Sequence, residues 1–215
     1  YSTSKHLLTL YAVATGLKPR RLLEVGTGRS SFVLARVAAE NNASLVCCDT
    51  EDFSQWFSDE EKKVVRNIRG LSHLAFNDPE LRRAGADFIF LDYFGTDVAT
   101  DAFVRGELKA ALSLLPTNGI LAIHDAIHPK SALPGVLRRW KWKPGVEVIT
   151  LPYNYGLALL RRTSASPYGR IDDACATLLQ ALSAWRRDGN LIDTSETMAV
   201  VLAERGHWGD AARVG

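Results

Sequence analysis

Glu24-Val25-Gly26-Thr27-Gly28-Arg29-Ser30-Ser31 follows an apolar run over 21–25 and leads into Phe32, Val33, Ala35, Arg36 and Val37 at helical spacing, so it joins a strand to a helix. A glycine turn there lets the backbone come close to a ligand. The helix it opens presents free N–H groups and the positive end of its dipole. Gly-x-Gly also serves in ordinary strand-to-helix turns, and it is the strand before and the helix after that make it a binding signal. Ser30 stands where the dinucleotide fingerprint carries a third glycine for tight helix–strand packing, which counts against a nicotinamide cofactor. The carboxylate of Glu24, at a strand end, needs a partner, and an amino group would serve.

Working outward, short apolar runs over 21–25, 44–48, 71–76, 87–91 and 119–124 alternate with amphipathic stretches over 31–40, 60–68 and 101–115. That alternation predicts parallel strands joined by crossover helices. The rhythm then changes. Strand-like runs over 146–151 and 156–160 are separated only by Pro152-Tyr153-Asn154-Tyr155, too short for anything but an antiparallel hairpin. The expected fold is α/β: a Rossmann-like, mostly parallel seven-stranded sheet ending in an antiparallel hairpin, with a C-terminal helical extension. The polar stretch 163–169 reads as a linker between a domain over 1–162 and helices over 170–215, at 171–187 and 195–205. The phrase over 203–212 resembles the end of a helical-hairpin repeat, but a helical cap or dimerisation element explains the tail better.

The chain has 215 residues, enough for a continuous core, and a formal net charge of +2 with acids and bases interspersed. No field points to nucleic acid or to a membrane surface, and no apolar stretch approaches the length of a spanning helix. Trp140-Lys141-Trp142-Lys143 mimics a base-stacking strip but is better read as an amphipathic edge before Pro144. Cys47 and Cys48 sit in an apolar run far from Cys175, the pattern of reduced thiols in a cytoplasmic protein. A small-molecule substrate is therefore expected, with a homodimer as the assembly.

Glu24-Val25-Gly26-Thr27-Gly28-x-Ser30-Ser31 resembles the first motif of class I S-adenosylmethionine-dependent methyltransferases, and especially of small-molecule O-methyltransferases. The order of motifs over 22–161 is similar to the family-24 methyltransferases, relatives of catechol-type and sugar O-methyltransferases and of the cephalosporin hydroxylase group. The resemblance implies S-adenosylmethionine as cofactor, with Glu24 organising the loop around its methionine part and Gly26, Thr27, Gly28, Ser30 and Ser31 forming the turn. Asp49, ending the second strand before Thr50, can accept both ribose hydroxyls, and it can equally be a helix N-cap with Thr50. Asn77-Asp78 corresponds to the family position contacting the adenine amino group. With Pro79 following, Asp78 is equally an N-cap.

Ligands of open α/β sheets bind at the carboxyl ends of the strands, where Asp92 ends one dry run and His124-Asp125 another. A neutral imidazole can take the proton of an acceptor hydroxyl, so His124 is the first candidate base, with Asp125 or Asp92 orienting it. The alternative is Mg²⁺ held by Asp92 and Asp125, positions where related metal-dependent enzymes carry carboxylates. Two departures weaken it: Ala126 replaces an amide, and Asp92-Tyr93-Phe94-Gly95 replaces the usual Asp-Gly-x-His. Asp92 also belongs to the expected cofactor rim. His128, Tyr153 and Tyr155 are further rim candidates, while His6, His73 and His207 have no constellation around them. Two rival functions stand beside methyl transfer: a nucleotide-dependent oxidoreductase, and an idle cofactor-binding module whose helical tail recruits a partner.

Overall fold

The computed structural model describes residues 3–163, apart from 96–98, 142 and 144. The helices expected at 171–187 and 195–205, the whole of 170–215 and His207 lie outside the described residues. Seven strands, Arg21–Val25 (β1), Ser44–Asp49 (β2), Val65–Arg69 (β3), Phe88–Leu91 (β4), Ile120–His124 (β5), Val146–Leu151 (β6) and Leu157–Arg162 (β7), form one sheet in the order β3-β2-β1-β4-β5-β7-β6. Neighbours among β1–β5 pair in parallel, and β7 runs antiparallel to both β5 and β6. This is the Rossmann-like sheet with a terminal hairpin that the sequence pattern anticipates.

Helices cover both faces. Leu7–Leu17 (α1) and Arg29–Glu40 (α2) pack Leu10, Ala14, Leu34 and Val37 against Leu22, Leu45, Phe88 and Phe90. Asp59–Lys62 (α3) is a single turn capped by Ser58, which accepts from the Glu61 N–H. On the opposite face Ser72–Phe76 (α4), Pro79–Ala84 (α5), Asp101–Leu114 (α6) and Leu133–Trp140 (α7) bury Phe76, Leu81, Val104, Leu108 and Val136 over Leu23, Val25, Ile89, Leu91 and Ile123. The central strands are apolar on both faces because each face meets helices.

The stretch between β2 and β4 differs from the sequence reading. The stretch 71–76, expected as the third strand, holds helix α4, and the third strand lies at Val65–Arg69, overlapping the end of the expected helix 60–68. The reason is position. β3 is the sheet edge, where Arg66, Asn67 and Arg69 are exposed and only Val65 and Ile68 are partly buried, so its polar composition imitates a surface helix. The helices α1 and α7 were also unforeseen.

Candidate active site

The glycine turn leaves β1 and is held by its neighbours. Gly26 N–H donates to the Cys48 carbonyl at 3.0 Å, and Asp92 N–H to the Val25 carbonyl at 2.9 Å, so the turn lies between the ends of β2 and β4. Gly26 has φ +86°, and a Cβ there would come within 2.4 Å of the Asp92 carbonyl oxygen. No side chain fits. At Gly28 a Cβ would meet nothing within 4 Å, so the room above it is open.

The serines expected in the cofactor set have inward tasks. Ser30 Oγ donates to Glu24 Oε1 at 2.6 Å, and Ser31 Oγ accepts from Gly28 N–H at 3.0 Å, with both residues buried. A third glycine would leave Glu24 without this donor, so Ser30 is where the turn parts from the dinucleotide pattern. Glu24 is 0% exposed, and burial pushes its carboxyl up to about 7 despite hydrogen bonds from Ser30 and Cys47. Asp49 Oδ2 accepts Thr27 N–H at 2.7 Å, and its Oδ1 accepts Glu51 N–H at 3.0 Å, with the exposed Thr50 beside it. Thr27 Oγ1 is buried without a partner. An orphan hydroxyl, an open glycine and a carboxylate with spare acceptor capacity suit a ligand rich in hydroxyl and amino groups.

Asn77 and Asp78 have partners of their own. They follow helix α4 rather than a strand. Asp78 caps α5 through Glu80 N–H and Leu81 N–H and makes a two-pronged ion pair with Arg66 near the amino end of β3, while Asn77 bonds His73 and Arg82. The N-cap reading holds, and the position beyond the carboxyl end of β3 falls to Gly70, Leu71 and Ser72.

Asp92 after β4 and His124-Asp125 at the end of β5 come together. His124 Nδ1 lies 2.8 Å from Asp92 Oδ1 and 3.3 Å from Asp125 Oδ1. Asp125 has φ +59°, a left-handed conformation that Asp tolerates better than most residues and that accompanies its approach to the ring. Burial would lower the His124 pKa, but hydrogen bonds to Asp125 and Asp92, together with their charges, outweigh it and hold it up at about 9. Tyr93 turns away, its phenol donating to Glu107.

Two residues from the N-terminal segment complete the cluster. Thr3 Oγ1 donates to Asp92 Oδ2 at 2.7 Å, and the buried His6 sets its ring edge-on to His124 with centroids 5.4 Å apart. Burial pushes the His6 pKa down, and His124 adds to that. Both rings leave Nε2 buried without a partner. His6 therefore has a constellation, contrary to expectation, although no spacing in the sequence links it to His124. His73 is exposed, and the His128 ring lies tilted against Tyr155, with centroids 4.4 Å apart and 59° between planes, at the neighbouring rim. Lys143 sits 5.4 Å from the Trp140 ring, so this aromatic has an internal partner.

Asp92, His124 and Asp125 each bring a donor atom within 4.8 Å of the others, a spacing some divalent ions accept. The donor chemistry does not fit Mg²⁺, which wants an octahedral oxygen shell. A nitrogen stands between the carboxylates, and the buried Ala126 offers no side-chain oxygen.

A methyltransferase domain family model matches residues 23–126, from β1 to the loop after β5. A methyltransferase from Geobacter sulfurreducens shares 19% identity and a TM-score of 0.60, over 76% of this chain and 80% of that one. The SAH-bound methyltransferase PaMTH1 of Podospora anserina shares 22% identity and a TM-score of 0.56, over 76% and 80%. An O-methyltransferase from Bacillus cereus in complex with SAH shares 16% identity and a TM-score of 0.58, over 76% and 82%. No curated protein matches in sequence.

Proposed function

With residues 23–126 matching the methyltransferase domain family model and the sheet being Rossmann-like with an antiparallel end, we propose that this chain is a class I S-adenosylmethionine-dependent enzyme that methylates a hydroxyl of a small metabolite. The observation that carries the hydroxyl reading is the 2.8 Å contact between Asp92 Oδ1 and His124 Nδ1. An ionised carboxylate only accepts, so the proton sits on Nδ1, and a neutral ring then holds its lone pair at Nε2. That unpartnered nitrogen is the base for the acceptor hydroxyl.

The turn at Gly26–Gly28, the Thr27 hydroxyl and Asp49 hold the cofactor, with Asp49 taking the ribose hydroxyls and Glu24, Ser30 and Ser31 fixing the turn from beneath. When bound, the cofactor supplies an electrophilic methyl carbon on a positively charged sulfonium. A positive charge at this rim opposes protonation of His124 and brings its pKa down from about 9, toward the range in which a base is useful. Asp92 and Asp125 hold the ring in place, and the N-terminal segment over Thr3 and His6 excludes water from Nε2.

The same reading keeps 1–162 as the methyltransferase domain, with a homodimer as the assembly. A cytoplasmic setting is supported by the free, buried Cys47 and Cys48. Among the described residues no helix is long and apolar enough to cross a membrane. The test is isotope transfer from labelled S-adenosylmethionine to a panel of small molecules matched in shape but carrying a hydroxyl, an amine or a thiol. Transfer confined to amines or thiols would sink the hydroxyl reading.

A further inference from the structure

Asp92 and Asp125 face each other across His124, and all four of their oxygens have neighbours. Asp92 Oδ1 lies 2.8 Å from His124 Nδ1, and Asp92 Oδ2 accepts the Thr3 hydroxyl at 2.7 Å. Asp125 Oδ1 lies 3.3 Å from the same Nδ1, and its Oδ2 packs so tightly on Gly95 that a Cβ there would come within 2.3 Å. Mg²⁺ needs oxygen ligands at about 2.0–2.1 Å in near-octahedral geometry and retains several waters. Between these carboxylates there is instead a nitrogen bearing hydrogen. The His124 ring is 1% exposed, and its backbone is paired with Leu157 of β7, so it cannot swing aside without disturbing the sheet end.

We infer that the Nδ1–H of His124 replaces a divalent ion as the bridge between Asp92 and Asp125, so that this reaction centre is assembled from side chains alone. The bridge does for the carboxylates what an ion would do: it gives both a shared hydrogen-bonding partner and fixes their separation. Thr3 closes the remaining oxygen of Asp92, and Ala126 fits a position that has no ion to serve. The catalytic meaning of this bridge rests on the methyltransferase reading, whereas its existence does not.

Mn²⁺ is the probe, as a paramagnetic substitute for Mg²⁺. It is titrated into the full chain and followed by electron paramagnetic resonance and by the imidazole signals of His124. The native chain should show no stoichiometric site tighter than about 10⁻³ M, and excess Mg²⁺ should leave the His124 Nδ1–H signal unmoved. His124→Asn removes the bridge and offers an oxygen, so its Mn²⁺ affinity should rise about tenfold or more. A stoichiometric site in the native chain that Asp92→Asn or Asp125→Asn abolishes overturns the inference, as does a folded His124→Asn with unchanged affinity. Should His124→Asn fail to fold, the measurements on the native chain decide alone. S-adenosylhomocysteine binding is scored in parallel, and its loss would strike the methyltransferase reading rather than the bridge.

Discussion

The ring of His6 meets the ring of His124 edge-on, 5.4 Å between centroids and 66° between planes, and thereby couples the start of α1 to the end of β5. Each ring has an unpartnered, buried Nε2. A buried nitrogen without a partner costs about 1–3 kcal/mol, so two of them side by side are a standing cost that a bound hydroxyl or water would relieve. His6→Phe fills the same space without that nitrogen. Acceptor turnover should fall by about tenfold, because Phe cannot offer a bound hydroxyl the hydrogen bond that Nε2 would. Unchanged turnover would reduce His6 to packing.

Catalysis should depend on the ring between the two carboxylates. His124→Ala should lower turnover by about 10²-fold or more while leaving S-adenosylhomocysteine affinity nearly intact, because a positioned base acts in the transition state. Asp92→Asn should do the same more mildly, since an amide no longer fixes the proton on Nδ1. In the parent, kcat/KM should rise with pH as His124 loses its proton, with the limb at or below about 9, and a chelator should change nothing. Full activity in both His124→Ala and Asp125→Ala would place the reacting centre elsewhere.

Glu24 makes a prediction about stability. Its folded pKa of about 7 lies above the ordinary 4.5, so the folded chain binds this proton more tightly than the unfolded chain does. The stabilising contribution is complete below 4.5 and is lost as pH rises through about 7. For this fully buried group the loss amounts to about 3 kcal/mol. His124 has the same sign over a higher window, from 6.5 up to about 9. His6, whose pKa burial lowers, contributes with the opposite sign below 6.5. The Glu24 share is therefore read as the difference in urea midpoint between the parent and Glu24→Gln, which should fall as pH rises from 4.5 through about 7. A difference that rises between pH 5 and 7 would refute the buried-carboxyl account.

What the sequence made legible follows burial. The strands β4 and β5 lie between two layers of helices, and their apolar runs over 88–91 and 120–123, together with the short hairpin connection, made the sheet and its end readable. The edge strand β3 has solvent on one side and took on the look of a helix, so Asn77-Asp78 was read as following a strand when it follows helix α4. α7 was hidden by Pro134 and Gly135 in its first turn, and α1 by apolar residues on nearly every side, including the exposed Leu8. At the site, Asp92, His124 and Asp125 were readable because strand ends are where an open sheet binds. Thr3 and His6 were not, since their role comes from a tertiary contact.

The two glycines of the turn separate folding from binding. A Cβ on Gly26 would lie 2.4 Å from the Asp92 carbonyl, and its φ of +86° strains any side chain. Gly26→Ala must therefore push β4's end away from the turn and should destabilise the fold by more than about 1 kcal/mol. Gly28 is extended, and a Cβ there meets no protein atom within 4 Å. Gly28→Ala should consequently fold and melt like the parent. If the open room above Gly28 belongs to the cofactor, the added methyl competes with it, and S-adenosylhomocysteine affinity should fall about tenfold or more, or about 1.4 kcal/mol. Asp49→Ala, which removes the proposed ribose acceptor and frees Thr27 N–H, should weaken the same titration. The decisive comparison is calorimetric: a Gly28→Ala chain that melts normally and still binds S-adenosylhomocysteine like the parent would move the cofactor off this turn.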